Sequence, residues 1–349
     1  MSKCFALILC VLFCHSIAAQ TAIEELETVV VTGEQPGPGL WKVSKGDHVM
    51  WILATYGPLP KAMSWNTKQV EARIAESQEV LYSPTVSVAP DIGLFRGLTL
   101  IPAALKAAKL PDGQTLKDVL PAETYQKWLA LRLKYVGKDD DSERYRPGIA
   151  IDMLRGSIVH KLGLDGGPNV YGVVGEIRKK LKVAANMPPA VRRTVHVDNP
   201  RGMLKSASKI QTPDAECFIR RIDTLEADVQ STREIANAWS RGNVEKLRDA
   251  LKARTLDEEL GQNCAYVLMT ALQSGGTQDA ARAKKAFDNF MWHAEQASVQ
   301  ARLDWVAAAQ QALQKNRSTF AVLPAGDMFR PDGGVERLKA LGYSVEAPL

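Results

Sequence analysis

The chain has few residues of the types that bind metals or act as nucleophiles. Its 349 residues include only five histidines and five cysteines. It contains no His-Glu-x-x-His pair, no Cys-x-x-Cys pair and no Gly-x-Ser-x-Gly elbow, so the signatures of zinc proteases, thiol redox proteins and serine hydrolases are absent. Four histidines occur singly after the first residues, and we interpret them as structural or surface side chains: His48, His160, His196 and His293.

The sequence also lacks a strong charge bias and a long apolar run. Its net charge is +5, spread over both halves, which is too small to indicate a nucleic-acid partner. Beyond the first residues, no apolar run approaches the roughly 20 residues that a membrane helix needs. We therefore expect no membrane span in the mature chain. The 46% hydrophobic content is enough for a large core.

The first residues are typical of a secretory signal peptide. Lys3 precedes an apolar run over residues 5–13, and small residues follow at the expected cleavage positions, ending at Ala18. We assign residues 1–19 to this signal. The pattern predicts an exported protein, most plausibly in a bacterial periplasm.

Cysteine usage agrees with export. Cys4, Cys10 and Cys14 lie inside the predicted signal peptide, which leaves Cys217 and Cys264 in the mature chain. An even pair in an oxidising compartment predicts a disulfide between them. The alternative is two buried free thiols.

Residues 20–39 have the composition of a flexible linker. The segment 35–39, Gln-Pro-Gly-Pro-Gly, disfavours both a helix and a central strand. Residues 27–33, Glu-Thr-Val-Val-Val-Thr-Gly, resemble the TonB box of outer-membrane receptors. Such a segment could add as a strand to the sheet of a partner protein. An ordinary edge strand or a disordered tail would have the same composition.

The pattern after residue 40 predicts one α/β (α+β) domain over 40–349. Residues 49–53 form a continuous apolar run typical of a buried strand, followed by a helix over 65–77 and a strand over 79–88. From about residue 94 to 316 the pattern is helical, with helices expected over 231–254 and over 277–316, the latter bent or broken. A strand from 318 and a helix over 334–341 close the chain. The simplest topology is a central sheet built from both ends, with the helical middle as a cap.

Three segments carry a resemblance to a known family. Residues 51–60 and residues 318–328 each have the pattern of a buried strand that ends in a turn, and residues 238–243 read Ala-Trp-Ser-Arg-Gly-Asn. Together they resemble the TraB/GumN family, a relative of the TIKI metalloproteases. That family has Gly-Thr-x-His after the first strand, Ala-Trp-x-x-Gly-Asp in a helix, and Gly-x-Gly-His after the late strand.

The resemblance implies a divalent metal, such as Mn²⁺, held by the two histidines and a glutamate, where it would activate water. In this chain Gly57 and Asp327 stand at the histidine positions, and Ser83 stands at the glutamate position. Arg302 matches an arginine of the family's late helix. It would steady the site, or pair with Asp304 or another exposed acid. The former-site positions are Ala54, Thr55, Gly57, Ser83, Arg302, Gly326 and Asp327.

The sequence therefore predicts a degenerate metallohydrolase, without a cofactor, that acts as a binding or accessory protein of the cell envelope. Its partner would be an envelope protein, a peptide or a glycan. Trp51, Tyr56, Trp65 and Phe329 would fit a groove for a peptide or a glycan, and core packing would explain most of them as well. The alternative is an active metal-dependent peptidase or other hydrolase with a rebuilt site that uses Asp327. A third possibility is an accessory protein that interacts through its TonB-box-like segment.

Overall fold

The computed structural model describes residues 34–138, 141–209, 215–252 and 278–348. The predicted signal peptide, the TonB-box-like segment 27–33 and Cys264 lie outside these residues.

The two ends of the chain meet in the middle of one sheet. Strand β2 (Leu40–Lys45) forms a hairpin with β3 (His48–Thr55), and β9 (Ser318–Pro324) lies parallel to β3 on the other side. The buried apolar residues of β3 and β9 explain this central position, because strands covered on both faces have continuous apolar runs. The mixed α/β fold and the sheet built from both ends are confirmed.

Three further strands complete the six-stranded sheet. They are β5 (Glu79–Leu81), β7 (Ala184–Asn186) and β10 (Ser344–Glu346), and the strand order is β10-β2-β3-β9-β5-β7. Strands β3, β9, β5 and β7 are parallel, whereas β10 and β2 run antiparallel to their neighbours. Strand β7 comes from the helical middle of the chain, so the middle is not purely a cap.

Two small sheets differ from the sequence prediction. The strand expected over 79–88 is interrupted beside Pro84, because proline has no N–H to donate within a central sheet. The segment after the interruption is β6 (Val86–Pro90), which pairs with β8 (Val191–Val195) in a separate two-stranded sheet. Strand β1 (Glu34–Gln35) pairs with β4 (Ser64–Trp65), so residues 34 and 35 of the predicted linker belong to the folded domain.

Helices cover both faces of the sheet and form the middle of the chain. They are α1 (Lys68–Ala75), α2 (Leu94–Ala108), α3 (Leu116–Val119), α4 (Ala122–Tyr135), α5 (Pro147–Lys161), α6 (Val170–Leu181), α7 (Pro200–Ala207), α8 (Ala215–Ser240), α9 (residues 244–252), α10 (Gln278–Lys315), α11 (Ala325–Met328) and α12 (Gly334–Ala340). Short 3₁₀ turns occupy Pro111–Gly113 and Asp141–Arg144. None of the helices in these described ranges is long and apolar enough to cross a bilayer.

Three helix predictions need correction. Helix α1 begins at Lys68 rather than residue 65, because Trp65 belongs to β4. The helix expected over 231–254 is instead the end of α8 and the start of α9, separated by Gly242 with a positive φ of 68°. Helix α10 is continuous over its 38 residues, which excludes the break that was one of the two expectations for it.

The core has three main parts. One face of the sheet packs on α1, α6 and the C-terminal end of α8, and the other face packs on the second half of α10 and on α12. The helices α3, α4 and α5 share a separate core with the N-terminal part of α8. Helix α8 therefore joins the cap to the sheet, with Phe218 in the cap core and Trp239 in the sheet core.

Candidate functional site

A cleft of about 550 Å³ lies at the carboxyl ends of β3 and β9. Parallel strands bring their carboxyl ends to one edge of a sheet, and ligands of α/β proteins bind in the crevice outside that edge. The register places Thr55 opposite Pro324. The cleft is lined by Thr55, Tyr56, Gly57, Pro58, Leu59, Gly166, Gly167, Pro168, Asn169, Val170, Tyr171, Pro324, Ala325 and Gly326.

The cleft joins the two strand ends that the sequence singled out. Thr55 and Gly57 come from the first motif and Gly326 from the last, although more than 250 residues separate them along the chain. A third wall comes from the loop before α6, which sequence reasoning did not assign to the site. The Gly-Gly-Pro-Asn run at 166–169 was a signal for it, because it is typical of a turn followed by a helix N-cap. Asn169 is that N-cap, and its side chain accepts from the N–H groups of Tyr171 and Gly172.

Two backbone hydrogen bonds fasten the loop of the first motif to the loop before α6. The N–H of Gly167 donates to Leu59 O at 2.9 Å, and the N–H of Lys61 donates to Gly163 O at 2.9 Å. The backbones of the two loops approach each other so closely at position 167 that this residue must be glycine. A Cβ there would lie 2.5 Å from Leu59 O and closer still to Pro60 O. The mouth of the cleft is thus a rigid pair of loops that only glycine at 167 permits.

The tryptophan of the Ala-Trp motif supports the end of β3, from which Thr55 reaches the cleft. Trp239 is fully buried in α8, and its indole N–H donates to the carbonyl oxygen of Ala54 at 2.6 Å. Its ring packs edge-to-face on Trp65, with 5.5 Å between centroids. Ala54 is itself buried in β3, immediately before Thr55. The motif therefore fixes the position of the strand end.

Asp327 is not among the residues that line the cleft. It lies in α11, where burial raises the pKa of its carboxyl group despite the neighbouring charges of Arg302 and Arg330. Burial also acts on Asp332, but the hydrogen bond from Arg330 and the charge of Arg302 hold the pKa of that carboxyl below its usual range. Asp327 thus shares its surroundings with two arginines and a second carboxylate.

Arg302 anchors this charged group. Its guanidinium lies 2.9 Å from Asp332 and 3.7 Å from Glu295. Asp304, one partner considered from the sequence, instead accepts a hydrogen bond from Gln300 at 2.8 Å. Arg302 therefore pairs with other acids than Asp304, and it acts electrostatically on Asp327.

Ser83 and the histidines have other roles. The hydroxyl of Ser83 donates to Val322 O at 3.1 Å, which fastens the end of β5 to β9. His48 begins β3, at the opposite end of the strand from the cleft, with its Nδ1 2.7 Å from Asn316 O.

The remaining histidines are away from the cleft lining. His160 contacts Asp165, His293 packs on the ring of Trp292, and His196 hydrogen-bonds Asp91 and Asp198.

The residues present do not fit the metal that the resemblance implies. Gly57 has no side chain that could bind a metal, and the hydroxyl of Ser83 donates a hydrogen bond to the carbonyl oxygen of Val322. Within the ranges that the structure describes, no three His, Cys, Asp or Glu side chains are grouped so as to hold an ion. Asp327 alone offers too few ligands for Mn²⁺, Mg²⁺ or Ca²⁺.

Of the four residues predicted to line an aromatic groove, only Tyr56 lies in the cleft. Tyr171 joins it there from α6. Trp65 is buried beside Trp239, and Trp51 stacks on the guanidinium of Arg73 at 4.2 Å.

Phe329 lies in a second pocket of about 410 Å³, where its ring packs edge-to-face on Trp41.

The predicted disulfide stays a prediction, because Cys264 lies outside the described residues, while Cys217 is buried in α8.

Comparison with known proteins identifies the family of this chain. The model of the TraB/PrgY/gumN family matches residues 39–347, nearly the whole chain. No curated protein and no solved structure gives a significant match. The match begins just before β2 and ends after β10, so it includes both strand ends and the Ala-Trp helix. The chain therefore belongs to the TraB/PrgY/gumN family.

Proposed function

We propose that this protein is an exported member of its family that has lost metallohydrolase chemistry and binds an uncharged ligand in the cleft at the strand ends. The ligand would be a peptide segment or a glycan of the cell envelope. One observation carries the proposal. Among the residues that the structure describes, the cleft lining consists of glycines, prolines, three aliphatic side chains, two tyrosines, an asparagine and a threonine, and it contains no Asp, Glu, His, Lys, Arg or Cys.

That lining suits recognition better than catalysis. General acid–base and nucleophilic catalysis need a titratable or activated group within hydrogen-bond reach of the reacting atoms. Tyr56 and Tyr171 instead offer flat apolar rings with a polar tip, and backbone near Gly57 and Gly326 can be approached closely by a ligand. These are the features of a site that binds a neutral group by stacking and hydrogen bonds.

The alternative, a rebuilt hydrolase that uses Asp327, has less support. Two arginines act electrostatically on this carboxyl, and burial favours its neutral form, so both effects oppose a divalent cation there. A thermal melt after chelator treatment, with Mn²⁺, Co²⁺, Zn²⁺ or Ca²⁺ added, tests it. Binding at a hundred times the dissociation constant would stabilise the native state by about 2.7 kcal/mol. We expect no shift with any metal; a shift that disappears in Asp327→Ala would support the hydrolase and overturn the proposal.

The binding role is tested by filling the cleft. Gly326 has open space around its Cβ position and no positive φ, so Gly326→Trp should place an indole in the cleft without backbone strain. Gly156→Trp is a matched control, because Gly156 is an exposed helical glycine of α5 with equally open surroundings. Neutral oligosaccharides and end-blocked peptides would be screened by thermal shift.

We expect at least one ligand class to raise the melting temperature of the wild type and of Gly156→Trp, but not of Gly326→Trp. A ligand whose effect survives in Gly326→Trp would bind elsewhere and would count against the cleft. Absence of any hit in both neutral classes would refute the proposed ligand chemistry.

Export and an envelope location are part of the proposal and rest on the signal-peptide pattern of residues 1–19. Expression of the full chain in a bacterium, followed by fractionation and intact-mass measurement, tests them. We expect a periplasmic protein that begins near residue 20. A cytoplasmic protein of full mass would contradict this part.

The accessory role of the TonB-box-like segment can be tested separately. A deletion should stop at residue 33, because Glu34 and Gln35 pair with β4. Loss of a partner with unchanged folding would support that role.

A further inference from the structure

Helix α2 presents an apolar face to solvent. Phe95 is 84% exposed and Leu94 is 76% exposed, the two highest values among the large apolar side chains of the described residues. Three more large side chains of the helix are about half exposed, namely Leu98, Ile101 and Leu105. Of the whole helix, only Leu100 is buried.

These side chains form one continuous stripe. Positions 94, 98, 101 and 105 follow the four-three-four spacing that places residues on the same side of a helix, and Phe95 widens the stripe on one flank. The opposite side, with Leu100, packs against α7. The 15-residue helix is about 22 Å long, so the stripe is a linear apolar surface rather than a scattered set of residues.

The charged side chains of α2 and of its neighbour α7 are all basic, while Asp91, Asp198 and Asp279 lie beside the N-terminal ends of these helices and are hydrogen-bonded to His196 or Asn199. Neither α2 nor α7 contains an aspartate or glutamate, whereas α2 carries Arg96 and Lys106 and α7 carries Arg201 and Lys205, all of them exposed. Arg201 also donates to the carbonyl oxygen of Thr99, which holds α7 against α2. An apolar stripe beside basic side chains matches the chemistry of an anionic lipid surface, where acyl chains lie beneath phosphate groups.

We propose that α2 docks this protein onto the surface of a membrane that contains anionic phospholipid. The apolar stripe enters the boundary between headgroups and acyl chains, and the basic side chains of α2 and α7 contact the phosphates. This inference is independent of the ligand of the cleft. A second copy of the chain fits less well, because pairing two α2 helices would bring basic side chains of like charge together.

Sedimentation with vesicles tests the proposal on the mature protein. Vesicles of phosphatidylcholine mixed with phosphatidylglycerol are compared with vesicles of phosphatidylcholine alone, at low and at high salt. We expect binding to the anionic vesicles that weakens at high salt, because surface charges are then screened. Leu98→Gln and Phe95→Gln should each reduce the partition coefficient by about tenfold, as expected for loss of one large buried apolar side chain.

Leu341→Gln is the matched control, because Leu341 is an exposed leucine, 46% accessible, that follows α12 at the far end of the described chain. It should leave vesicle binding unchanged. The substituted side chains of α2 are exposed, so all variants should keep the melting temperature of the wild type. This measurement serves as the control for intact folding.

Three results would overturn the proposal. They are equal binding to neutral and anionic vesicles, unchanged binding of Leu98→Gln and Phe95→Gln, and a dimer in sedimentation equilibrium that dissociates in those two variants. The last result would assign the stripe to self-association.

Discussion

Substitution of Gly167 by alanine should destabilise the protein by about 2–3 kcal/mol. The new Cβ would lie 2.5 Å from Leu59 O, whereas carbon–oxygen contacts are normally at least about 3.3 Å, so the two loops must separate by close to an ångström. That movement would break the Gly167–Leu59 and Lys61–Gly163 backbone hydrogen bonds. Each contributes about 0.5–1.5 kcal/mol, and overpacking adds a cost of the same order.

Urea denaturation followed by circular dichroism would measure the effect, with an accompanying fall in melting temperature of roughly 3–5 °C for a domain of this size. Gly156→Ala is the control of opposite sign. Gly156 is an exposed position of α5 with open space at its Cβ, and alanine is favoured over glycine in a helix by about 0.5–1 kcal/mol. A loss below 0.5 kcal/mol for Gly167→Ala would refute the close approach of the loops and the rigid cleft mouth inferred from it.

Three further predictions concern the buried Trp239 and the carboxyl groups of Asp327 and Asp332. Trp239→Phe should cost about 2–4 kcal/mol in urea unfolding, because it removes the donor to Ala54 O and leaves a buried carbonyl without its partner; a loss below 1 kcal/mol would contradict that role. Burial raises the pKa of Asp327 above 3.8, so the native state loses stability as pH rises from there through the folded pKa, and Asp327→Asn should be more stable than wild type at neutral pH but not below pH 3.8. Asp332→Asn should show the opposite sign at neutral pH, since the hydrogen bond from Arg330 and the charges of Arg302 and Arg330 together outweigh burial and lower the pKa of Asp332; equal signs for the two variants would refute this electrostatic account.

The sheet could be predicted from the sequence where the strands are apolar on both faces. The runs in β3 and β9 have no periodic polar positions, and such runs are typical of central parallel strands. Both end in glycine- or proline-rich turns, which placed Thr55, Gly57 and Gly326 at the edge of a sheet before their contact was known. The cleft follows from these two local patterns and one parallel pairing.

Strand β7 gave no comparable signal. It is the three-residue segment Ala-Ala-Asn, which has neither β-branched residues nor alternation, and it joins the sheet only through tertiary pairing with β5. The third wall of the cleft was missed for a related reason. The loop before α6 reaches the strand ends only because Gly167 lets two backbones meet, and one sequence shows the glycine without showing what it approaches.

The contacts that hold the strand ends do not involve metal ligands. β3 is held by Trp239 from below, β5 is fastened to β9 by the Ser83 hydroxyl, and the loop after β3 is fastened by Gly167. Gly57 takes part in none of these contacts. In a protein whose total stability is about 5–15 kcal/mol, the backbone bonds and the buried indole account for several kcal/mol at this edge alone. A cleft supported in this way can change its ligand while the scaffold around it stays the same.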